Sequence, residues 1–185
     1  MKFRMGLVAL NALFMASTAF AQTAPATPPG PPPPACTAPE HRQFDFWVGY
    51  WDVYPTGKEK LVAHSLIEKL YAGCTIRENW MPLNNSTGGS LNMYDPADKK
   101  WHQLWQDSQN GRVAFDGGFG NGKMVLVGNW QGANGPGQDA LTRMTYSANA
   151  DGSVRQFGEQ SIDQGKTWAP AFDFTYRKSA STPPK

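Results

Sequence analysis

The side chains best suited to chemistry in this chain fall at alternate positions of strand-like segments. Along residues 99–107, Trp101, Gln103, Trp105 and Asp107 share one face and His102, Leu104 and Gln106 the other, because successive side chains of a strand point in opposite directions. Two aromatics with two polar groups are what a ligand cavity uses: apolar walls carrying a few placed hydrogen-bonding groups. Two exposed tryptophans two residues apart would make an adhesive outer stripe, so this face is expected to turn inward. Comparable faces carry Cys74, Ile76, Glu78 and Trp80, then Leu141, Arg143 and Thr145, then Arg155, Phe157 and Glu159. A shared lumen would gather Glu78, Asn92, Gln103, Asp107, Arg143 and Glu159. There an arginine suits a ligand carboxylate, and a carboxylate suits a ligand hydroxyl or amine. The expected ligand-binding set is Trp101, Gln103, Trp105, Arg143 and Glu78. The competing reading makes such residues solvated outer charges or one internal salt bridge.

Other chemistries find less support. His41, His64 and His102 are far apart and lack ligand-like spacing, so no metal and no cofactor is expected. No Gly-x-Ser-x-Gly elbow is present, and the glycines at 117–122 lack the following helix that a phosphate cradle needs. Residues 161–168, SIDQGKTW, fit the S-x-D-x-G-x-T-W hairpin found in sialidases and other propellers. A propeller repeats that motif at blade spacing. One copy reads as a structural hairpin.

The elements that must position these residues are short. Candidate strands cover 50–55, 60–70, 73–80, 88–94, 99–107, 111–117, 122–130, 139–147, 152–161 and 167–177, separated by turn residues such as those at 95–98, 149–152 and 163–165. The connections are too short for crossover helices, so the sheet is antiparallel and sequential. About ten strands leave long edges unless the sheet closes, which favours an up-and-down β-barrel. Only residues 39–48 suit a short helix, with Phe44, Trp47 and Val48 as its apolar side.

The ends speak for export. Lys2 and Arg4 precede an apolar run to Phe20, and Ala19-Phe20-Ala21 is an A-x-A cleavage signal, the pattern of a secretory signal peptide. The run is shorter than the ~20 residues of a membrane span, so the expectation is a periplasmic or secreted protein with no membrane span once cleaved after Ala21. Residues 22–38, rich in Pro and Ala, read as an extended spacer, residues 39–178 as the barrel and 179–185 as a tail. Losing Lys2 and Arg4 reduces 17 basic residues to 15, against 15 acidic ones. That neutral balance removes the main driving force for binding nucleic acid. Cys36 and Cys74 are the only cysteines. In an oxidising compartment they are expected to pair, stabilising the fold by ~3–4 kcal/mol through loop-closure entropy.

Gly49-Tyr50-Trp51, following the short helix expected at 39–48, resembles the Gly-x-Trp opening of the first strand in lipocalins and their calycin relatives. FDFWVGYWDV, GCTIRENW, YDPADKKWHQLWQD and FGEQSIDQGKTW also look like a group of secreted bacterial lipocalin-like domains. The resemblance spans roughly residues 39–178. It implies that Trp51 closes one barrel end and that a basic residue near the last strand, here Arg177, packs over it. Ten strands exceed the eight usual in lipocalins and approach the count of fatty-acid-binding proteins and nitrobindin-like haem barrels. The latter ligate haem through a histidine near the C-terminus, and no histidine follows His102 here.

The leading expectation is therefore an exported binding barrel for a small, partly apolar molecule. The alternatives are a small-molecule isomerase, lyase or hydrolase using Glu78, Asp107 or Glu159 as general base, and a structural or interaction domain with a filled interior. Interior volume separates the last from the others: without a pocket larger than ~300 Å³ both ligand readings would fail. An acid deep in the pocket with a raised pKa would separate enzyme from binder.

Overall fold

The computed structural model describes residues 36–183; the expected signal peptide (1–21) and residues 22–35 of the expected spacer lie outside the described residues. Ten strands follow in chain order: β1 (Gly49–Pro55), β2 (Ala63–Leu70), β3 (Thr75–Pro82), β4 (Gly88–Asp95), β5 (Lys100–Asp107), β6 (Arg112–Gly120), β7 (Lys123–Trp130), β8 (Ala140–Ala148), β9 (Val154–Ser161) and β10 (Ala169–Lys178). Each pairs antiparallel with its neighbours in sequence, and β1 pairs with β10, closing the barrel. Among the described residues, closure leaves no strand edge free to recruit another chain. Among the described residues no helix is long and apolar enough to cross a membrane.

Local chemistry sets the hairpins. Asn121 and Gly122 both take positive φ (52° and 74°) between β6 and β7, the tight turn whose twist matches the flanking strands. Asp95 and Asp98 accept the backbone N–H groups of Ala97 (2.8 Å) and Lys100 (3.0 Å) between β4 and β5. The S-x-D-x-G-x-T-W segment is a hairpin of the same kind. Asp163 accepts the Thr167 N–H (2.9 Å) and the hydroxyls of Ser161 (2.7 Å) and Thr167 (2.6 Å). These donors hold its carboxyl down at about 2.

Two 3₁₀ turns, Pro39–Arg42 and Asp45–Trp47, occupy the place of the expected helix and plug one end of the barrel. Phe44 stacks on Trp47 (ring centroids 4.9 Å) and meets Trp101 and Tyr146 edge-on at 5.7 and 5.0 Å. Both Phe44 and Trp47 are fully buried. The Trp51 indole N–H donates to the Trp47 carbonyl at 2.8 Å, fixing the plug to β1. Cys36 and Cys74 form a disulfide (Cα–Cα 5.0 Å) that ties the start of the plug to the β2–β3 connection.

The closure predicted for Trp51 needs correction by one residue. Lys178, not Arg177, lies over the Trp51 ring, 3.8 Å from its centroid, and its ammonium donates to the Val48 carbonyl (3.1 Å). The reason is register: Trp51 pairs with Lys178 across the seam, whereas Arg177 pairs with Asp52. Alternation therefore sends Arg177 outward, onto Tyr54 (4.6 Å) and into a bidentate pair with Glu59. Gly49 belongs to the same device: a Cβ there would collide with the Lys178 ammonium. Lys178→Ala is expected to cost about 0.5–1 kcal/mol, the range of a cation over an indole at a partly exposed site. It should lower the melting temperature more than Arg177→Ala, as thermal unfolding of both variants would show.

Candidate functional site

The end opposite the plug holds an aromatic cavity of about 200 Å³ lined by Glu78, Trp80, Trp105, Trp130, Met144, Gln156, Phe172, Phe174 and Tyr176. The strands explain the grouping. β3, β5 and β7 run toward this end and deliver Trp80, Trp105 and Trp130 near their last residues, while β10 starts here and supplies Phe172 and Phe174. Small residues make room for these rings. A Cβ on Gly88 would lie 2.7 Å from the Trp105 ring, and one on Gly158 would overlap the Phe172 ring. Trp130 and Phe172 also border a wider surface depression formed with Asp107, Gly111 and the β7–β8 loop, so the cavity opens toward that side.

The polar floor is a directed hydrogen-bond chain. Gln103 Nε2 donates to Asn92 Oδ1 (2.6 Å), Asn92 Nδ2 to Ser90 Oγ (3.0 Å), and Ser90 Oγ to Glu78 Oε2 (2.9 Å). Ser65 Oγ donates to Glu78 Oε1 at a longer 3.4 Å. A second chain runs from Tyr176 Oη to Gln156 Oε1 (2.6 Å) and from Gln156 Nε2 to Tyr146 Oη (3.0 Å). Glu78 is only 5 % exposed. Burial raises its carboxyl to about 7 against the opposing pull of the two serine hydroxyls. The same burial, with Glu78 nearby, raises the phenols of Tyr146 and Tyr176, which stay neutral. Two buried polar atoms near this network lack partners, the Trp105 indole nitrogen and Gln103 Oε1.

The expected site residues separate into three groups. Trp105 and Glu78 line the cavity. Trp101 and Gln103 also turn inward but lie outside the lining. Trp101 belongs to the plug side, its indole N–H donating to Gln43 (3.1 Å), and Gln103 supports the floor through Asn92. Arg143 is a correction: it points outward, bidentate to Glu159 (2.9 Å for both bonds) and stacked on Trp168 at 4.1 Å. On β8 the inward set is Thr142, Met144 and Tyr146, and Arg143 faces Glu159 across the β8–β9 ladder. Glu159 therefore leaves the lumen with it. Asp107 instead caps its own turn, accepting the N–H groups of Gln109 (2.9 Å) and Gly111 (2.7 Å). Sequence reasoning missed Gln156, Tyr176, Phe172 and Phe174. The alternation Phe172-Phe174-Tyr176 was the available signal, but an irregularity between Pro170 and Phe172 displaces the phase at the start of β10.

Asp95, Asp98 and His102 bring one donor atom each within 4.8 Å of one another on the exposed outer side. Both imidazole nitrogens already meet carboxylates, Nδ1 at Asp116 (2.6 Å) and Nε2 at Asp98 (3.3 Å). The cluster is thus accounted for as a hairpin brace.

At about 200 Å³ the cavity falls below the ~300 Å³ expected of a pocket for a drug-sized ligand. The barrel is more completely filled than the sequence suggested, its plug side packed by Phe44, Trp47, Trp51, Phe115 and Tyr146. The volume set above for the ligand readings is not met in its drug-sized form, and a ligand reading holds only for a guest compact enough for this space. The chain matches no protein-family profile and no curated protein.

Proposed function

We propose that this protein is an exported binding barrel for a compact, partly apolar small molecule of on the order of ten non-hydrogen atoms at interior packing density. One observation carries a ligand site over a filled, purely structural barrel: a buried acid forms the floor of an aromatic cavity. A purely structural barrel gains nothing from such a group. An acid buried with only two hydroxyl partners destabilises its own fold at neutral pH. Perturbed, buried acids of this kind in a cleft are candidates for functional sites. Export rests on the sequence of residues 1–21.

A second reading, acid–base catalysis by Glu78, has in its favour the feature named above as separating enzyme from binder, a deep acid with a raised pKa. A carboxyl raised to about 7 is poised to accept and return a proton near neutrality. Binding ranks first because the hydroxyls of Tyr146 and Tyr176 are already committed within the floor network, and no nucleophile stands with Glu78 in the cavity lining.

Native mass spectrometry of protein taken from its own host compartment tests the binding reading. A co-purifying compound of low mass is expected, retained by Arg143→Ala and weakened roughly tenfold or more by Trp105→Ala, the scale of losing one buried aromatic contact. Equal retention by both variants would place the compound elsewhere.

A further inference from the structure

We infer that the guest of this cavity is a compact organic cation, a protonated or quaternary amine on an apolar body, seated with its charge between the Glu78 carboxylate and the surrounding tryptophans. The inference deepens the binding reading and rests on it.

The charge inventory of the lumen points this way. Among the described residues, arginines are spent on the outer surface: Arg143 on Glu159, Arg155 on Asp173, Arg177 on Glu59 and Arg77 on Glu68. The two lysines whose register turns them inward, Lys69 and Lys178, lie at the plug end and are held by Asp45 and by Trp51 with the Val48 carbonyl. Glu78 thus has no cationic partner. The strands around it offer Ser65 from β2, Ser90 and Asn92 from β4, Met144 from β8, Gln156 from β9 and Tyr176 from β10. The other titratable groups turned toward it are the phenols of Tyr146 and Tyr176, both neutral.

Geometry adds to charge. An ionised carboxylate offers about four acceptor positions, and the two serines occupy two. Glu78 lines the cavity, so a guest seated there can donate to the remaining ones. An anionic guest would face a like charge and no arginine. Trp80, Trp105 and Trp130, with Phe172 and Phe174, surround the same space with aromatic rings. Aromatic faces beside a carboxylate form the environment that desolvates an ammonium without losing its electrostatic partners. A neutral alcohol would satisfy the acceptors but not the missing charge.

Proton balance follows. In the empty barrel Glu78 holds its proton up to about pH 7. Seating an ammonium requires the carboxylate, so one proton leaves Glu78 for solvent on binding at lower pH. Affinity for the cation should fall by about tenfold per pH unit below that point, and affinity for a neutral analogue should not.

Three probes of nearly equal size decide the matter: 2-phenylethylamine, 2-phenylethanol and phenylacetate, titrated into the full barrel with tryptophan fluorescence and calorimetry as readouts. At pH 8 the amine should bind at least about tenfold tighter than the alcohol, the margin of one cation–aromatic and charge contact, and phenylacetate weakest. In Glu78→Gln, checked for native structure by near-ultraviolet circular dichroism, the amine-to-alcohol ratio should fall to near one. An alcohol that binds as well as the amine, or a preference that survives Glu78→Gln, overturns the cation and leaves the binding reading standing. Saturable binding of none of the three overturns both.

Discussion

Raising the pH from 5 to 8 should destabilise the native protein by about 3 kcal/mol, and Glu78→Gln should abolish most of that loss. The direction is opposite to the usual behaviour of carboxylates and comes from linkage. The folded Glu78 titrates near 7, above its ordinary value of 4.5, so between these values the folded state binds more protons than the unfolded one. Stability is therefore highest below the ordinary value and declines as pH rises through the folded one, and the size follows from the conversion of pKa difference to free energy. The lowered carboxyls of Asp163 and Asp173 act elsewhere: their stabilisation is complete above the ordinary carboxylate range and fades only in stronger acid. His102, raised chiefly by its bond to Asp116, adds a loss in the same direction as Glu78, at the upper end of the window. The glutamine variant separates the two, because it removes the Glu78 contribution alone while keeping an oxygen to accept from Ser90. Urea unfolding of both proteins at pH 5 and 8 gives the comparison. Parallel profiles would show that burial does not govern this carboxyl.

Reduction of the Cys36–Cys74 bond should cost about 4 kcal/mol, the loop-closure entropy for the 38-residue separation. The loss should fall first on the plug. Phe44 and Trp47 reach the core from a segment whose described covalent and polar ties at its start are the disulfide and the Arg42 bond to the Cys36 carbonyl (3.1 Å). Urea midpoints with and without reductant, repeated on the Cys36→Ala/Cys74→Ala double variant, measure it. Equal midpoints would show that packing alone seats the plug.

What could be read from the sequence depended on contrast between strand faces. Strand number, order and turns were legible because Asp, Asn, Gly and Pro interrupt the chain at regular intervals. The inward phase of β5 was legible because tryptophan on one face and His102, Leu104 and Gln106 on the other differ sharply in tolerance of water. On β8 the contrast is weak. Leu141-Arg143-Thr145 against Thr142-Met144-Tyr146 offers no clear apolar side, and a chemical preference for an arginine in the lumen chose the wrong one. The partner that fixes the phase, Glu159, is distant in sequence and becomes visible only in the β8–β9 register. The seam failed similarly: Arg177 and Lys178 are both basic, and only pairing with β1 says which one meets Trp51. Cavity size was beyond reach, since it depends on how far Phe44 and Trp47 penetrate from outside the sheet.

The chain enters the barrel at Cys36, beside Cys74, and passes from β10 to Ser179, whose N–H bonds to the Tyr50 carbonyl (3.0 Å). Both points lie at the plugged pole, and the tryptophan-lined mouth lies at the other. A barrel anchored through either terminal segment, to a surface or to a fused partner, consequently presents its mouth outward like a cup held by its base. A guest of the kind proposed above would arrive from the side away from the anchor, and attachment would leave its path clear.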